Sequence, residues 1–177
     1  MQENIKVEYF KTPFGELILG SYKDDLCICD WRYRKMRDSI DKRIKESLDL
    51  EFVYESSELI EKTKSQLNEY FKGERKEFEL DVLMIGSEFQ KSVWHALIQI
   101  PFGKTETYLG LSKKLNNEKA VRAVASANGA NAISIIVPCH RIIGTNGKLV
   151  GYAGGLAVKK KLLTLENAIN TSQLSLF

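Results

Sequence analysis

The spacing of apolar residues changes near Ser87, and this change divides the chain into two parts with different folding patterns. Before it, the short runs IKVEYFK, GELILGSY and LCICDW are rich in β-branched and aromatic residues and are separated by the turn signals PFG and KDD. After it, apolar residues recur at helical spacing as far as Pro101, namely Phe89, Val93, Trp94, Leu97 and Ile98. We therefore predict an α+β chain, with a three-stranded antiparallel sheet followed by a mainly helical domain.

Helix signals complete this outline in both parts. In the first part, SSELIEKTKSQLNEYFKG places its apolar residues on one face, with Ser56 or Ser57 as N-cap and Gly73 after the end. In the second part, we predict two short helices joined by the polar turn NNE, the first from Thr107 to Leu115 and the second from Glu118 to Asn128. Gly129 is expected just past the second helix, in the position that favours a left-handed backbone.

The two parts also differ in net charge, and the second part ends in a short tail. Residues 1–82 carry a net charge of −4 and residues 83–177 carry +7. We predict an N-terminal α/β domain over residues 1–82, a basic and mainly helical domain over 83–168 and a tail over 169–177. The basic domain favours a polyanionic partner, and its helix pair outlines a helix-turn-helix, although a solvated basic face and an ordinary helix pair are the alternatives.

The stretch IVPCHRI carries the residues with the clearest chemistry. The run before it is apolar, β-branched and closed by Pro138, which predicts a buried strand. If the chain stays extended, the side chains of Cys139 and His140 point to opposite faces. A thiol needs a base or a positive field to become a nucleophile, so His140 would act on Cys139 through a trapped water, with Arg141 adding positive charge.

The remaining cysteines and histidine offer only a weak metal signal. The chain has three cysteines and two histidines, with no C-x-x-C and no paired-histidine spacing. Cys27 and Cys29 lie two residues apart in a predicted strand, where small buried cysteines are ordinary core residues. We therefore expect that the protein binds no metal ion. No apolar run resembles a membrane span or a signal peptide, so we expect a cytoplasmic protein whose thiols are free.

The second helix of the predicted pair has an unusual face of small side chains, formed by Ala120, Ala123, Ser126 and Ala127. Tight packing against another helix is the common use of such a face. Close approach to a narrow DNA groove is the alternative, and Arg122 favours it. An arginine in this helix can reach into a base stack or pair with phosphate.

From Phe89 to Glu166, the chain strongly resembles the bacterial type of the O6-alkylguanine-DNA alkyltransferases, which move an alkyl group from a damaged base to their own cysteine. The resemblance rests on five motifs in order, FQKSVWHAL, FGKTETY, AVRAVASANGANAI, IVPCHRIIG and GYAGGLAVKK. It implies a ribonuclease-H-like N-terminal sheet and a winged-helix-like C-terminal domain. It also implies single-turnover repair of O6-alkylguanine without a cofactor, with O4-alkylthymine as a second substrate left open.

The resemblance implies a role for each catalytic residue. Cys139 would accept the alkyl group, His140 would deprotonate it through water, and Glu166 would orient the imidazole. Tyr108 would protonate the leaving guanine and assist base flipping. Asn131 would brace the helix-turn-helix against the active-site loop.

The family also suggests binding residues. The recognition helix would enter the minor groove, with contacts from Arg122, Ala123, Ala127 and Asn128, and Arg122 would fill the gap left by the flipped nucleotide. The pocket for the flipped base would be formed by Ile142, Tyr152, Ala153 and Gly154, and the carbonyls of Cys139 and Ile142 would accept hydrogen bonds from the guanine amine. Members with an N-terminal zinc site use histidines that this chain lacks before His95.

Two other functions remain open at this point. A non-catalytic lesion-binding protein of similar fold usually has tryptophan at the cysteine position, and Cys139 argues against it. A cysteine hydrolase would need a histidine in direct contact with the thiol, and only His95 is left for that role.

The tail contains a further motif. In NTSQLSLF, the polar residues end the helical pattern and apolar residues follow. The segment QLSLF resembles the pentapeptide that docks bacterial repair proteins onto the DNA polymerase sliding clamp, with contacts from Gln173, Leu174, Leu176 and Phe177. The alternative is that the tail packs on the protein surface. We predict a monomer that binds double-stranded DNA, has no membrane contact and interacts weakly with the sliding clamp.

Overall fold

The computed structural model describes residues 3–170 of the chain. These residues form two compact units, each with its own core. The first contains the chain up to Ser87 together with residues 132–136, and the second contains Glu88–Asn131 and the residues from Val137 onward. The predicted fold class is confirmed, since a small sheet with helices is followed by a mainly helical part.

The sheet of the first unit has four strands rather than the three predicted. Strands β1 (Ile5–Thr12), β2 (Gly15–Tyr22) and β3 (Asp25–Trp31) form the predicted antiparallel meander, and β4 (Phe52–Tyr54) pairs in parallel with β1. The order across the sheet is β3-β2-β1-β4. The fourth strand is only three residues long, which is too short to show an alternating pattern.

Two helices belong to this unit. Helix α1 (Arg37–Leu48) was not predicted, because it is mostly charged and buries only Ile40 and Ile44. Helix α2 (Glu58–Phe71) confirms the predicted helix, and the Ser57 hydroxyl caps it by accepting a hydrogen bond of 3.1 Å from the backbone N–H of Ile60. Gly73 follows with φ +76°, a left-handed backbone that suits glycine.

The second unit contains four helices and two short strands. In chain order these are α3 (Glu88–Ile98), β5 (Glu106–Thr107), α4 (Tyr108–Lys114), α5 (Val121–Gly129), β6 (Ile142–Ile143) and α6 (Leu156–Leu165). β5 and β6 pair in parallel. The buried indole of Trp94 on α3 donates a 2.8 Å hydrogen bond to the carbonyl of Ala127, which joins α3 to α5.

Three details of the predicted helices need correction. Phe89 and Ile98 belong to the apolar pattern from which we predicted α3, but their side chains are exposed and do not enter the core. The second helix of the pair begins with a 3-10 turn at Glu118–Ala120 before α5 starts. Gly129 is the last residue of α5 rather than a left-handed residue after it, and Ala130 ends the helix with φ −86°.

The predicted strand before Pro138 is also irregular. Ile133 makes a single parallel bridge to Cys29, and the residues after it turn instead of continuing as a strand. The run is buried as predicted, because its apolar side chains enter the core. Within residues 3–170, no helix is long and apolar enough to cross a membrane.

Candidate active site

Cys139 and His140 lie in a short 3-10 helix that spans Cys139–Arg141. The chain is therefore not extended through this pair, which was the condition for placing the two side chains on opposite faces. The side chains of both residues are nevertheless buried, with 3% and 0% of their surface exposed. In a 3-10 helix, successive side chains are rotated by about 120°, so the two side chains still point in different directions.

The imidazole of His140 is oriented by a carboxylate. Its Nε2 atom lies 2.8 Å from Oε1 of Glu166, which is buried directly after the last residue of α6. A carboxylate accepts hydrogen bonds, so Nε2 carries the proton and Nδ1 holds the free lone pair of the neutral ring. No residue in the described range 3–170 pairs with the buried Nδ1 atom.

Arg141 neutralises the charge of this carboxylate. Its Nε and Nη2 atoms donate to the two carboxylate oxygens of Glu166 at 2.9 and 3.0 Å, and its Nη1 atom donates to the carbonyl of Ile100 at 2.6 Å. Burial by itself would raise the pKa of Glu166, but His140 and Arg141 outweigh burial and lower it. Burial lowers the pKa of His140, so the imidazole is neutral at physiological pH.

Tyr108, the first residue of α4, belongs to the same site. Its hydroxyl donates to the carbonyl of Val150 at 3.3 Å. Burial raises the pKa of the Tyr108 phenol, and the negative charge of a Cys139 thiolate raises this pKa further. The phenol therefore keeps its proton at neutral pH and lies close enough to Cys139 to respond to its charge.

Lys159 is a site residue that the sequence analysis missed. Its side chain is completely buried and donates to three backbone carbonyls, those of Ile142, Val150 and Gly151. Burial lowers the pKa of Lys159 to about 8, and the Cys139 thiolate limits that fall. The available signal was its place on the inward face of α6, three and four residues before the apolar Leu162 and Leu163.

Two asparagines connect the end of α5 to the cysteine. Asn131 is buried and donates through Nδ2 to the carbonyl of Val137 at 2.9 Å. The amide of Asn128 lies 3.5 Å from the carbonyl of Cys139, at the outer limit for a hydrogen bond. Asn131 therefore joins the residues after α5 to the chain that leads into Cys139.

The outward face of α5 differs from the predicted one. Arg122 and Ala123 are exposed, as DNA contacts would require. Ala127 and Asn128 are buried, so the prediction that they contact DNA was wrong. They lie on the side of α5 that packs into the unit, where Ala127 accepts the hydrogen bond from Trp94.

The predicted pocket residues lie in β6 and in the loop after it. Ile142 is fully buried, and its carbonyl already accepts a hydrogen bond from Lys159. The ring of Tyr152 lies edge-on to the imidazole of His140, with centroids 6.4 Å apart. Ala153 and Gly154 are half-buried in the loop that leads to α6.

The other thiols and the second histidine lie outside this arrangement. Cys27 and Cys29 are buried in β3, and burial raises the pKa of both. His95 is exposed on α3, which does not suit a base for a buried thiol. No group of three potential metal ligands occurs among His, Cys, Asp and Glu in the described part of the chain.

Comparison with known proteins identifies similar sequences over almost the whole chain. Residues 5–84 match the family model of the 6-O-methylguanine DNA methyltransferase ribonuclease-like domain, and residues 88–168 match that of the 6-O-methylguanine DNA methyltransferase DNA binding domain. A methylated-DNA–protein-cysteine methyltransferase of Methanosarcina acetivorans is 42% identical over 90% of this chain and 96% of its own. One of Mycobacterium leprae is 40% identical over 94% of both chains.

Solved structures give the same result. The crystal structure of Mycobacterium tuberculosis OGT in complex with DNA superposes with a TM-score of 0.78 at 35% identity. The superposition covers 92% of this chain and 93% of the OGT chain.

The buried imidazole predicts an acid-sensitive stability. Unfolded His140 binds a proton below its ordinary pKa of 6.5, whereas the folded protein holds this side chain neutral to lower pH. The unfolded state therefore binds more protons, and the free energy of unfolding falls between pH 7.5 and 5.5, by no more than about 1.4 kcal/mol from this group alone. Urea unfolding at the two pH values measures this loss.

His140→Gln should remove this part of the pH dependence. His95→Gln is the matched control, because His95 is exposed and lies outside the contact between His140 and Glu166, so the loss should remain. An equal pH dependence in wild type and His140→Gln would contradict a neutral, buried imidazole.

Proposed function

The chain belongs to the 6-O-methylguanine DNA methyltransferase family, and from this premise we propose that Cys139 is the residue that accepts the alkyl group. The protein binds DNA and repairs it by transferring the alkyl group of O6-alkylguanine to its own cysteine. Among the three cysteines, only Cys139 adjoins a buried imidazole with an oriented tautomer. That contact between His140 and Glu166 is the observation that carries the assignment.

His140 activates the thiol as a base. With Nε2–H directed at Glu166, the lone pair of Nδ1 takes the thiol proton through a bridging water molecule. The imidazolium that results is stabilised by the ionised Glu166, whose pKa is lowered by its partners. Arg141 keeps that carboxylate charged and fixed in place.

Transfer is an in-line displacement at the alkyl carbon. The Cys139 thiolate forms a C–S bond as the C–O bond breaks, and the electron pair of that bond stays on O6 of guanine. Tyr108 donates its proton to the leaving base, for which its raised pKa keeps the proton available. The product is guanine and a thioether on Cys139, and each protein molecule acts once because none of the proposed site residues cleaves the new C–S bond.

The flipped base is bound by backbone and aromatic groups. The carbonyls of Cys139 and Ile142 accept hydrogen bonds from the guanine amine. The carbonyl of Ile142 can do so because it has a second lone pair besides the one that accepts from Lys159. Tyr152, Ala153 and Gly154 surround the alkyl group. The contacts to the amine would be the same for undamaged guanine. Selectivity for the damaged base therefore comes from its O6 substituent.

The DNA is approached through the minor groove by α5. Ala123 permits close approach of the helix, and Arg122 fills the space of the extruded nucleotide. We also propose that the protein is a monomer and that it acts on chromosomal DNA in the bacterial cytoplasm. We assign these functions to residues 83–168, while residues 1–82 form the N-terminal domain and residues 169–177 a tail.

Replacing the acceptor separates chemistry from recognition. Cys139→Ala should abolish the mass increase of one alkyl group that wild type gains after mixing with O6-methylguanine DNA, as measured by intact-protein mass spectrometry. DNA affinity should stay within about twofold, because phosphate contacts supply most of it. Cys27→Ala is the matched control and should gain the alkyl group normally. Alkylation of the Cys139→Ala variant would refute the assignment.

Replacing Arg122 tests base extrusion. Arg122→Ala should lower the transfer rate on duplex DNA by at least about tenfold, because flipping costs a few kcal/mol and this side chain offsets part of that cost. The rate with free O6-benzylguanine should stay unchanged, since no flipping is needed. Lys119→Ala removes an exposed charge three residues away and controls for simple loss of DNA attraction. Equal rate losses on both substrates would exclude the extrusion role.

We further propose that the segment QLSLF binds the DNA polymerase sliding clamp. Its residues Gln173, Leu174, Leu176 and Phe177 lie outside the described part of the chain, and the proposal rests on the motif. The glutamine would hydrogen-bond at the rim of the clamp pocket while the apolar side chains fill it. Such a tether raises the local concentration of DNA without a new DNA contact.

Deletion of residues 173–177 tests this interaction. Binding to purified bacterial sliding clamp, measured by surface plasmon resonance, should disappear in the deleted protein. Alkyl transfer on short oligonucleotides should not change, because residues 173–177 include none of the proposed catalytic residues, of which Glu166 is the last in the chain. Clamp binding that survives the deletion, or no binding by the intact protein, would refute the proposal.

A further inference from the structure

The proton that Tyr108 gives to the leaving guanine leaves a negative charge on the phenolic oxygen. When the O–H bond breaks, its electron pair stays on that oxygen and the proton bonds to a ring nitrogen of guanine. The overall charge balances, because the thiol proton of Cys139 has already moved to His140. The new charge nevertheless lies on a half-buried side chain, where it is costly unless a donor faces it.

The other groups around the phenol do not favour this charge. The Tyr108 hydroxyl donates to the carbonyl of Val150 at 3.3 Å, and a carbonyl oxygen can only accept, so it repels a phenolate. Burial raises the pKa of Tyr108, and the charge of Cys139 raises it further. A donor is therefore needed on another side of the phenolic oxygen.

Asn128 provides this donor from the second unit itself. Its side chain is buried, and its Nδ2 atom lies 3.5 Å from the carbonyl of Cys139. Against burial and the charge of Cys139, a hydrogen bond from the same amide to the Tyr108 hydroxyl lowers the pKa of Tyr108. The amide therefore lies between the cysteine that accepts the alkyl group and the tyrosine that supplies the proton.

The direction of the Asn128 amide follows from its surroundings. If the amide were turned over, Oδ1 would face the carbonyl oxygen of Cys139, and two acceptors repel each other. Oδ1 is buried, and no group within residues 3–170 donates to it. A buried acceptor without a donor is unfavourable, and such groups in folded proteins often have a catalytic role. Nδ2 thus faces the two oxygens although Oδ1 gains no donor.

The backbone of Asn128 is fixed by the packing of α5. Asn128 is the last residue but one of this helix and follows Ala127, whose carbonyl accepts the 2.8 Å hydrogen bond from the indole of Trp94. The side chain of asparagine is short and has few rotatable bonds, so little freedom remains for its amide. The end of α5 therefore holds a donor that needs no reorganisation when charge forms on Tyr108.

We propose that Asn128 is a positioning residue for proton transfer, whose Nδ2 atom donates to the phenolic oxygen of Tyr108 and stabilises the charge formed there as guanine leaves. The proposal rests on the proposed transfer to Cys139, with Tyr108 as the proton donor. Asn128 acts through Tyr108 and needs no contact of its own with guanine. This role takes the place of the DNA contact that the sequence predicted for Asn128.

The test compares two alkylations of Cys139 that differ in their need for an acid. Transfer from saturating O6-methylguanine duplex DNA puts a proton on the leaving base, whereas iodoacetamide forms the C–S bond with release of iodide, which needs no proton. Asn128→Leu keeps a branched side chain and removes the donor. Its maximal single-turnover rate constant on the duplex should fall by about tenfold or more, the effect of losing one hydrogen bond to a charged group. Its rate constant with iodoacetamide, measured by mass spectrometry of the Cys139 peptide, should not change.

A second comparison shows whether the amide acts through the phenol. Tyr108→Phe should itself lower the transfer rate constant, and adding Asn128→Leu to it should cause no further loss, because no phenolate then forms. Asn128→Ala removes the same donor and suits a helix, so it decides the question should Asn128→Leu fail to fold.

Val124→Ala is the matched control. Val124 is completely buried on the same helix, and its truncation should lower stability by leaving a cavity. The rate constants of this variant with the duplex and with iodoacetamide should both equal those of wild type.

Three results would overturn the role of Asn128. They are a wild-type transfer rate constant in Asn128→Leu, an equal loss with the duplex and with iodoacetamide, and a full further loss when Asn128→Leu is added to Tyr108→Phe. A wild-type rate constant in Tyr108→Phe would refute Tyr108 as the proton donor and this proposal with it. Failure of wild type to alkylate Cys139 at all would instead refute the proposed acceptor, so the failures are distinguishable.

Discussion

The hydrogen bond between Glu166 and His140 is the contact on which the proposed chemistry depends. A buried carboxylate is costly unless donors surround it, and here His140 and Arg141 provide them. The bond fixes the proton on Nε2 of the imidazole and directs the Nδ1 lone pair away from the carboxylate. It also joins the end of α6 to the 3-10 helix that contains Cys139, so α6 contributes to the site as well as to the core.

Much of the fold could be predicted because its elements have clear local signals. The three strands of the meander alternate with turn residues, and Ser57 and Gly73 delimit α2 by capping. The charged helix α1 and the three-residue strand β4 have no such signal, since their places depend on pairing with distant residues. Gly129 shows the opposite error, in which a strong local signal was overridden because α5 continues through it.

The expected contact between His140 and Glu166 is present in the structure, because it depends on residue type and order. The site was not predictable where a role depends on which way a side chain points. Asn128 and Ala127 face inward from α5, and the sequence motif contains no information about that direction. Lys159 was missed because a lysine next to two others is usually a solvated charge, whereas here three backbone carbonyls accept hydrogen bonds from it.

The tautomer of His140 tests the account most directly. The chain has two histidines, so in a ¹⁵N-labelled His95→Gln variant the remaining imidazole signals belong to His140. At pH 7, the account predicts a neutral ring with the proton on Nε2 and a nonprotonated Nδ1, which ¹⁵N chemical shifts distinguish clearly. A proton on Nδ1, or an imidazolium carrying both protons at that pH, would leave no base for Cys139 and would contradict the account.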